Sequence, residues 1–217
     1  MRTRPVQLAI AGLFALLAPL TVPTHSQATS LADLSVEQMT DASTYIVQGS
    51  IDRIWTEVDE NNHVWTRAHM TVDTTLKGPD TPRELIIDSF GGIHSDGTVT
   101  NMAAAARFSD SEEVFLFLDV VDHGKRLVPV AKFLGKYSIR RAPRDTERLV
   151  QRWHTGTMAH FDARFLPFPE TNERLYLTDL VESVNNRLDV GWNGDAIPGI
   201  SNSELKEINT LERRMRK

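Results

Sequence analysis

The sequence contains no cysteine. That excludes disulfide staples, thiolate metal ligands and a cysteine nucleophile together, so the fold must stand on its apolar core. Past Ala28 no apolar run approaches the roughly 20 residues that span a bilayer, and the remainder reads as soluble, with no transmembrane segment. Concentrated positive charge is lacking too. Without Arg2 and Arg4 the 24 basic residues fall to 22 against 29 acidic ones, a net charge of −7. Nucleic acid is therefore not an expected partner, because neutralising phosphates needs a basic face. The terminal "RRMRK" closes a predicted helix, where positive charge complements the carbonyl end of the dipole. No internal repeat or low-complexity tract is present.

What is present begins with an export signal. "MRTRPVQ" supplies Arg2 and Arg4 ahead of "LAIAGLFALLAPLTV", fifteen uncharged and mostly apolar residues, and Ser26 and Ala28 are small residues suited to a cleavage site. This three-part build predicts a signal peptide over 1–28, cleaved near Ala28, and a periplasmic or secreted product. A retained anchor is the weaker reading, since the run is too short. The expected mature chain of 189 residues suits one domain with an appendage: a β-barrel over 29–141, then an extension over 142–217 made of a loop and two short helices packing on the barrel.

Local patterns supply the elements. Ser35 and Gln38 form a capping box, with Leu34 and Met39 as its hydrophobic staple, for a helix near Val36 to Ala42. "TYIVQGSIDRIWTEV" and "HVWTRAHMTVDTTLKG" flank the polar turn "DENN" and predict a long β-hairpin. In the second, Val64, Ala68, Met70, Val72 and Leu76 share one face, while Trp65, Arg67, His69, Thr71 and Asp73 share the other. Period two with a polar outer face predicts an antiparallel strand covered on one side. "RELIIDSF" is a third strand, "EEVFLFLDVV" a central one apolar on both faces, and "RLVPVAKFLGKYSIR" a fifth, with Pro129 implying an edge or bulge. "LTDLVESVNNRL" and "SNSELKEINTLERRMRK" predict helices, the last capped by Ser201 with Glu204. The class is mainly β or α+β, and a small barrel accommodates five antiparallel strands with few exposed edges.

In order, "ASTYIVQGSIDRI", "VWTRAHMTVDTTLKG", "SFGG", "ARFSDSEEVFLFL" and "LVPVAKFLGKYSI" resemble a group of exported bacterial proteins of unknown function. These are similar to the netrin-type module, the OB-like barrel of tissue inhibitors of metalloproteinases. Val47 and Gly49 match its V-x-G, Leu76, Lys77 and Gly78 its L-K-G, and Gly91–Gly92 its glycine pair, across about residues 33–140. The resemblance implies a five-stranded antiparallel barrel and an envelope address. It implies no inhibitory residue, because that role belongs to an N-terminal cysteine absent here.

Three stretches carry candidate chemistry. His154, His160 and Asp162 in "WHTGTMAHFD" are possible zinc ligands, although H-x5-H-x-D lacks the regular spacing of H-E-x-x-H; a packed loop explains them more simply. In "GGIHSDGT", His94, Ser95 and Asp96 could form an acid–base and nucleophile set with Ser89, but Asp96–Gly97 is a strong turn dipeptide and no G-x-S-x-G context is present. The outer stripe of Trp65, Arg67, His69 and Asp73, joined by Trp55, has the composition that protein interfaces favour. An ordinary half-solvated strand also explains it. The chain thus reads as an exported, non-enzymatic binding or structural domain with no cofactor, whose partner is another envelope or secreted protein. The alternative is a metal-dependent hydrolase using His154, His160 and Asp162.

Overall fold

A computed structural model describes residues 31–32, 34–78, 80–102, 104–141, 147–152, 160–161 and 175–215. The expected signal peptide lies outside them, as do His154 and Asp162. The chain enters through a two-residue strand β1 (Leu31–Ala32) and helix α1 (Val36–Ala42). The capping box is formed: the Gln38 N–H donates to Ser35 Oγ at 3.2 Å, and the Ser35 N–H to Gln38 Oε1 at 3.0 Å. It satisfies two of the amide groups that a helix start leaves unpaired.

Strands β2 (Tyr45–Val58) and β3 (Val64–Lys77) form the long hairpin. β4 (Glu84–Phe90) pairs with β3, and a small hairpin of β5 (Gly92–Ile93) and β6 (Val99–Thr100) follows. β7 (Glu113–Val121) returns to pair with β2. The expected fifth strand is two: β8 (Arg126–Pro129) and β9 (Lys136–Arg141) both pair with β7, against its C-terminal and N-terminal parts respectively. Between them the chain turns through Ala131 and Lys132, both at positive φ, and a 3-10 turn over Lys132–Gly135. Proline cannot extend a ladder, and β8 ends at Pro129.

Beyond residue 141, β10 (Arg148–Gln151) pairs with β9, and β12 (Leu175–Tyr176) pairs with β10, while β11 (His160–Phe161) lies parallel to β1. Helix α2 (Leu177–Val190) stops at Gly191, whose N–H donates to Arg187 O from a positive φ, a backbone conformation that suits glycine. Helix α3 (Asn202–Met215) completes the described chain. None of the described helices is long and apolar enough to cross a membrane.

The fold is therefore mainly antiparallel β with short helices. Strand order is β12-β10-β9-β7-β2-β3-β4, with β8 also on β7. The sheet does not close into a barrel: among the described residues no ladder joins β4 to β8 or β12. Instead β4 and β8 approach each other and are bridged by side chains, Arg126 reaching Asp88 at 3.6 Å.

Two cores share the central strands. Ile46, Phe115 and Phe117 face one, with Met39, Leu180, Val184 and Leu205 from the three helices. Val47, Val114, Leu116 and Leu118 face the other, enclosed by the curled sheet with Ala68, Met70, Leu85 and Ile87. β7 is thus buried on both sides, as its unbroken apolar run predicts.

Candidate functional site

The outer face of the β2–β3 hairpin carries the stripe of Trp65, Arg67, His69 and Asp73 that the sequence singles out. Asp59 organises its turn: Oδ1 accepts the N–H groups of Asn61 and His63, each at 2.9 Å, and Oδ2 accepts Trp65 Nε1–H at 3.0 Å. The His63 amide foremost, with help from Trp65 and Asn61, lowers the Asp59 pKa to about 2, because hydrogen bonds to the carboxylate favour its charged form. The Trp65 ring meets Phe90 edge-on at 5.1 Å, and the Arg126 guanidinium stacks on it at 4.1 Å.

Arg67 bonds Glu57 at 2.5 Å and faces Asp88 Oδ1 at 3.1 Å, an ion pair without hydrogen-bond alignment. Arg126 adds Asp59 and Asp88 at 3.6 Å and Asp122 at 3.3 Å. Asp88 is only 1% exposed. Its burial pushes the carboxyl pKa up, opposed by Arg67 and Arg126. His69 lies 3.3 Å from Asp52 and 3.6 Å from Glu84, and the Thr71 hydroxyl donates to Asp52 at 2.6 Å. Asp73 stands exposed farther along β3, and Trp55 sits between Arg53 at 4.6 Å and Arg67 at 5.8 Å.

Arg126 arrives from β8 and covers Trp65 and Asp88, so Trp65, Arg67 and His69 are half-buried and bound within the chain. No period in β3 announces this, because the covering residue comes from about sixty positions later in the sequence.

A second cluster lies where the chain enters β7. Lys136 Nζ bonds Glu112 Oε1 at 2.6 Å and Ser138 Oγ at 3.2 Å, and the Ser138 hydroxyl donates to Glu112 Oε1 at 2.5 Å. Burial lowers the Lys136 pKa, and Glu112 opposes that. Amine, hydroxyl and carboxylate in contact are the parts of a nucleophile-and-base set, yet Lys136 is 6% and Ser138 2% exposed. No substrate atom reaches a hydroxyl so enclosed; the cluster ties β9 to the start of β7. Beside it Arg148 pairs with Glu113.

The Gly91–Phe108 segment forms the third feature. A Cβ at Gly91 would fall 2.6 Å from Thr100 O, so the close approach that only glycine permits is made to the chain itself. Asp96 Oδ1 accepts the Thr98 N–H at 2.8 Å, which lowers its pKa, and the Ser89 hydroxyl donates to Ala106 O at 2.7 Å. Asp96 thus makes a turn and Ser89 a loop anchor. Between this segment and the end of β4 lies a cleft of about 310 Å³. Phe90, Ile93, Val99, Met102 and Phe108 give it apolar walls, with Thr66, Asn101 and Arg107 as polar members. Phe108, one of its lining residues, also packs on the core inside the curled sheet. Arg107 also reaches Asn101 at 3.4 Å.

Of the three proposed metal ligands, only the backbone of His160 is described, paired with Leu31. Among the described residues no group of three His, Asp or Glu could hold a metal ion. Comparison with known proteins returns no matching family model, no matching curated protein and no matching solved structure.

Proposed function

We propose that the chain is an exported, non-enzymatic binding domain on an OB-like frame of the netrin kind, acting in the cell envelope or the surrounding medium. Its ligand sits in the cleft between Gly91 and Phe108, and the partner is another envelope or secreted protein that offers an apolar side chain beside an acidic group. The cleft carries this reading. It has the size of small binding sites, and Arg107 is the one titratable side chain among its lining residues. Ile93 and Val99, 61% and 63% exposed, stand at its rim with no covering described residue. Apolar walls with a few polar groups and one guanidinium recognise a partner; they do not form an acid–base pair.

The strand order β4-β3-β2-β7-β8, with β8 returning beside β4, supports the OB-like frame, since a partly open five-stranded barrel is that fold's form. Support for the netrin resemblance comes from its glycines. Gly49 packs so closely that a Cβ would lie 2.0 Å from Thr71 O, and Gly78 takes φ 99° against the Tyr45 ring. The signal-peptide pattern of the first 28 residues supports export.

The test is capture from native envelope and culture-fluid extracts on immobilised protein, beside an Ile93→Ser/Val99→Ser version. Both positions are exposed, so the fold is unaffected. A partner retained by the first and lost by the second is expected. Equal retention by both, or none by either, removes the cleft from consideration.

A further inference from the structure

β2 is longer than the strand that covers its second edge. β7 pairs with it only from Tyr45 to Ser50, and the last backbone bonds on that side join Ile51 to Ser111 and Glu112. From Asp52 to Val58, β2 pairs with β3 on one side and with no described backbone on the other. Successive residues of a strand turn their N–H and C=O to alternate edges. Asp59 N–H bonds to His63 O inside the hairpin, so Arg53, Trp55 and Glu57 look toward β3. Ile54, Thr56 and Val58 turn theirs to the open edge.

Native edges are blunted by proline, lysine, bulges or covering segments. The stretch Arg53–Val58 contains no proline and no lysine, and the register irregularity of the hairpin ends at Arg53. Thr56, Glu57 and Val58 are exposed, Val58 at 42%. The edge is available for another strand. The order Arg53-Ile54-Trp55-Thr56-Glu57 also specifies which strand: opposite charges stand two positions either side of Trp55, so the segment is complementary to itself when reversed.

We propose that Asp52–Val58 is a self-association edge, at which a second copy of this chain pairs antiparallel about a twofold axis through Trp55. In that register Ile54 of each copy opposes Thr56 of the other. Both turn their backbone groups outward, so the two pairs exchange four N–H···O=C bonds. Arg53 of each copy opposes Glu57 of the other in the non-hydrogen-bonded positions, where facing side chains come closest. The two Trp55 rings meet at the axis. The contact is isologous and closes on itself as a dimer, joining two sheets into one. It shares no residue with the lining of the cleft.

The experiment is sedimentation equilibrium of the full chain across a concentration series. The parental protein is expected to dimerise reversibly. Arg53→Glu alone and Glu57→Arg alone each put like charges opposite each other at both pairs, and should weaken association roughly tenfold. An equimolar mixture of those two variants restores opposite charges at both pairs and should associate like the parent, as should the double swap Arg53→Glu/Glu57→Arg. Thr56→Pro removes an N–H that faces only the open edge, leaves the β3 ladder intact, and should abolish the dimer. Thermal melts of every variant separate lost association from lost folding. A parental protein that stays monomeric throughout overturns the proposal. So does a dimer insensitive to Thr56→Pro, or one that the mixture and the double swap fail to restore. Loss of a foreign strand from Thr56→Pro with the parent monomeric would assign the edge to that strand and refute the second copy.

Discussion

Replacing Arg187 by methionine tests how the helices are held to one another. Arg187 on α2 donates three hydrogen bonds to Asp41 on α1: Nε to Oδ1 at 2.9 Å, Nε to Oδ2 at 3.1 Å and Nη2 to Oδ2 at 2.6 Å. These bonds, foremost, raise the pKa of the guanidinium, which therefore stays charged at every working pH. Asp41 is buried, and its backbone carbonyl accepts Asn209 Nδ2 of α3 at 3.0 Å, so one residue joins all three helices. Methionine keeps the apolar stem and removes the charge, leaving a buried carboxylate without the guanidinium that faces it. Breaking a buried pair from one side costs about 3–5 kcal/mol. The Arg187 side chain is 16% exposed, so water reaches the site, and the lower end, about 3 kcal/mol, applies. In urea, with a slope of about 2 kcal/mol/M, the unfolding midpoint should fall by about 1.5 M. Circular dichroism of the purified protein reads this directly. Adding Asp41→Asn removes the bare charge and should recover more than half of the loss. A midpoint within about 0.2 M of the parent, or a double variant no better than the single one, would refute the reasoning.

The Asp59 pKa of about 2 lies below the usual 3.8. Its contribution to stability is therefore full above pH 3.8 and is lost as pH falls through about 2. The Trp65 indole N–H resonance, followed by NMR against pH, should titrate near the lower value; a midpoint near 3.8 would break the link between turn and ring. Gly49→Ala drives a methyl into Thr71 O at 2.0 Å, costing about 3 kcal/mol and lowering the calorimetric Tm by roughly 6–12 °C. Leu205→Ala empties a fully buried position of α3 and should cost about 2–5 kcal/mol in urea, whereas a loss below about 1 kcal/mol would mean that α3 is not docked as described.

Short-range signals carried α1, the β2–β3 hairpin, the doubly buried β7 and the two C-terminal helices. In each case the cause lies within a few residues: the Ser35–Gln38 box, the Asp59–Asn62 turn, an unbroken apolar run. The seam was not legible. Arg126 has no local pattern marking it as the cap of Trp65 and Asp88, because those contacts exist only once β4 and β8 have been brought together. Pro129 signalled irregularity, yet nothing in "RLVPVAKFLGKYSIR" says that both halves return to the same edge of β7. β10 and β12 were missed because "RLVQ" and "LY" are too short to show a period. Likewise, alternation along β3 reports on one sheet and not on what folds over it.

The double burial of β7 has a further consequence. In most strands a slip of one residue throws apolar side chains into water, and that penalty fixes the pairing. Here it is nearly absent, because Val114, Leu116 and Leu118 face one core and Phe115 and Phe117 the other. Polarity does not choose the frame, so shape and the strand ends must. Gly49 opposite Val114 admits only one neighbour at its tight crossing with Thr71. Glu112, Glu113 and Asp119 find Lys136, Arg148 and Thr44 only in the native alignment. The few polar groups at the two ends of the most apolar strand thus act as its index marks: they add little to the cohesion of the cores and decide instead which residue each core receives.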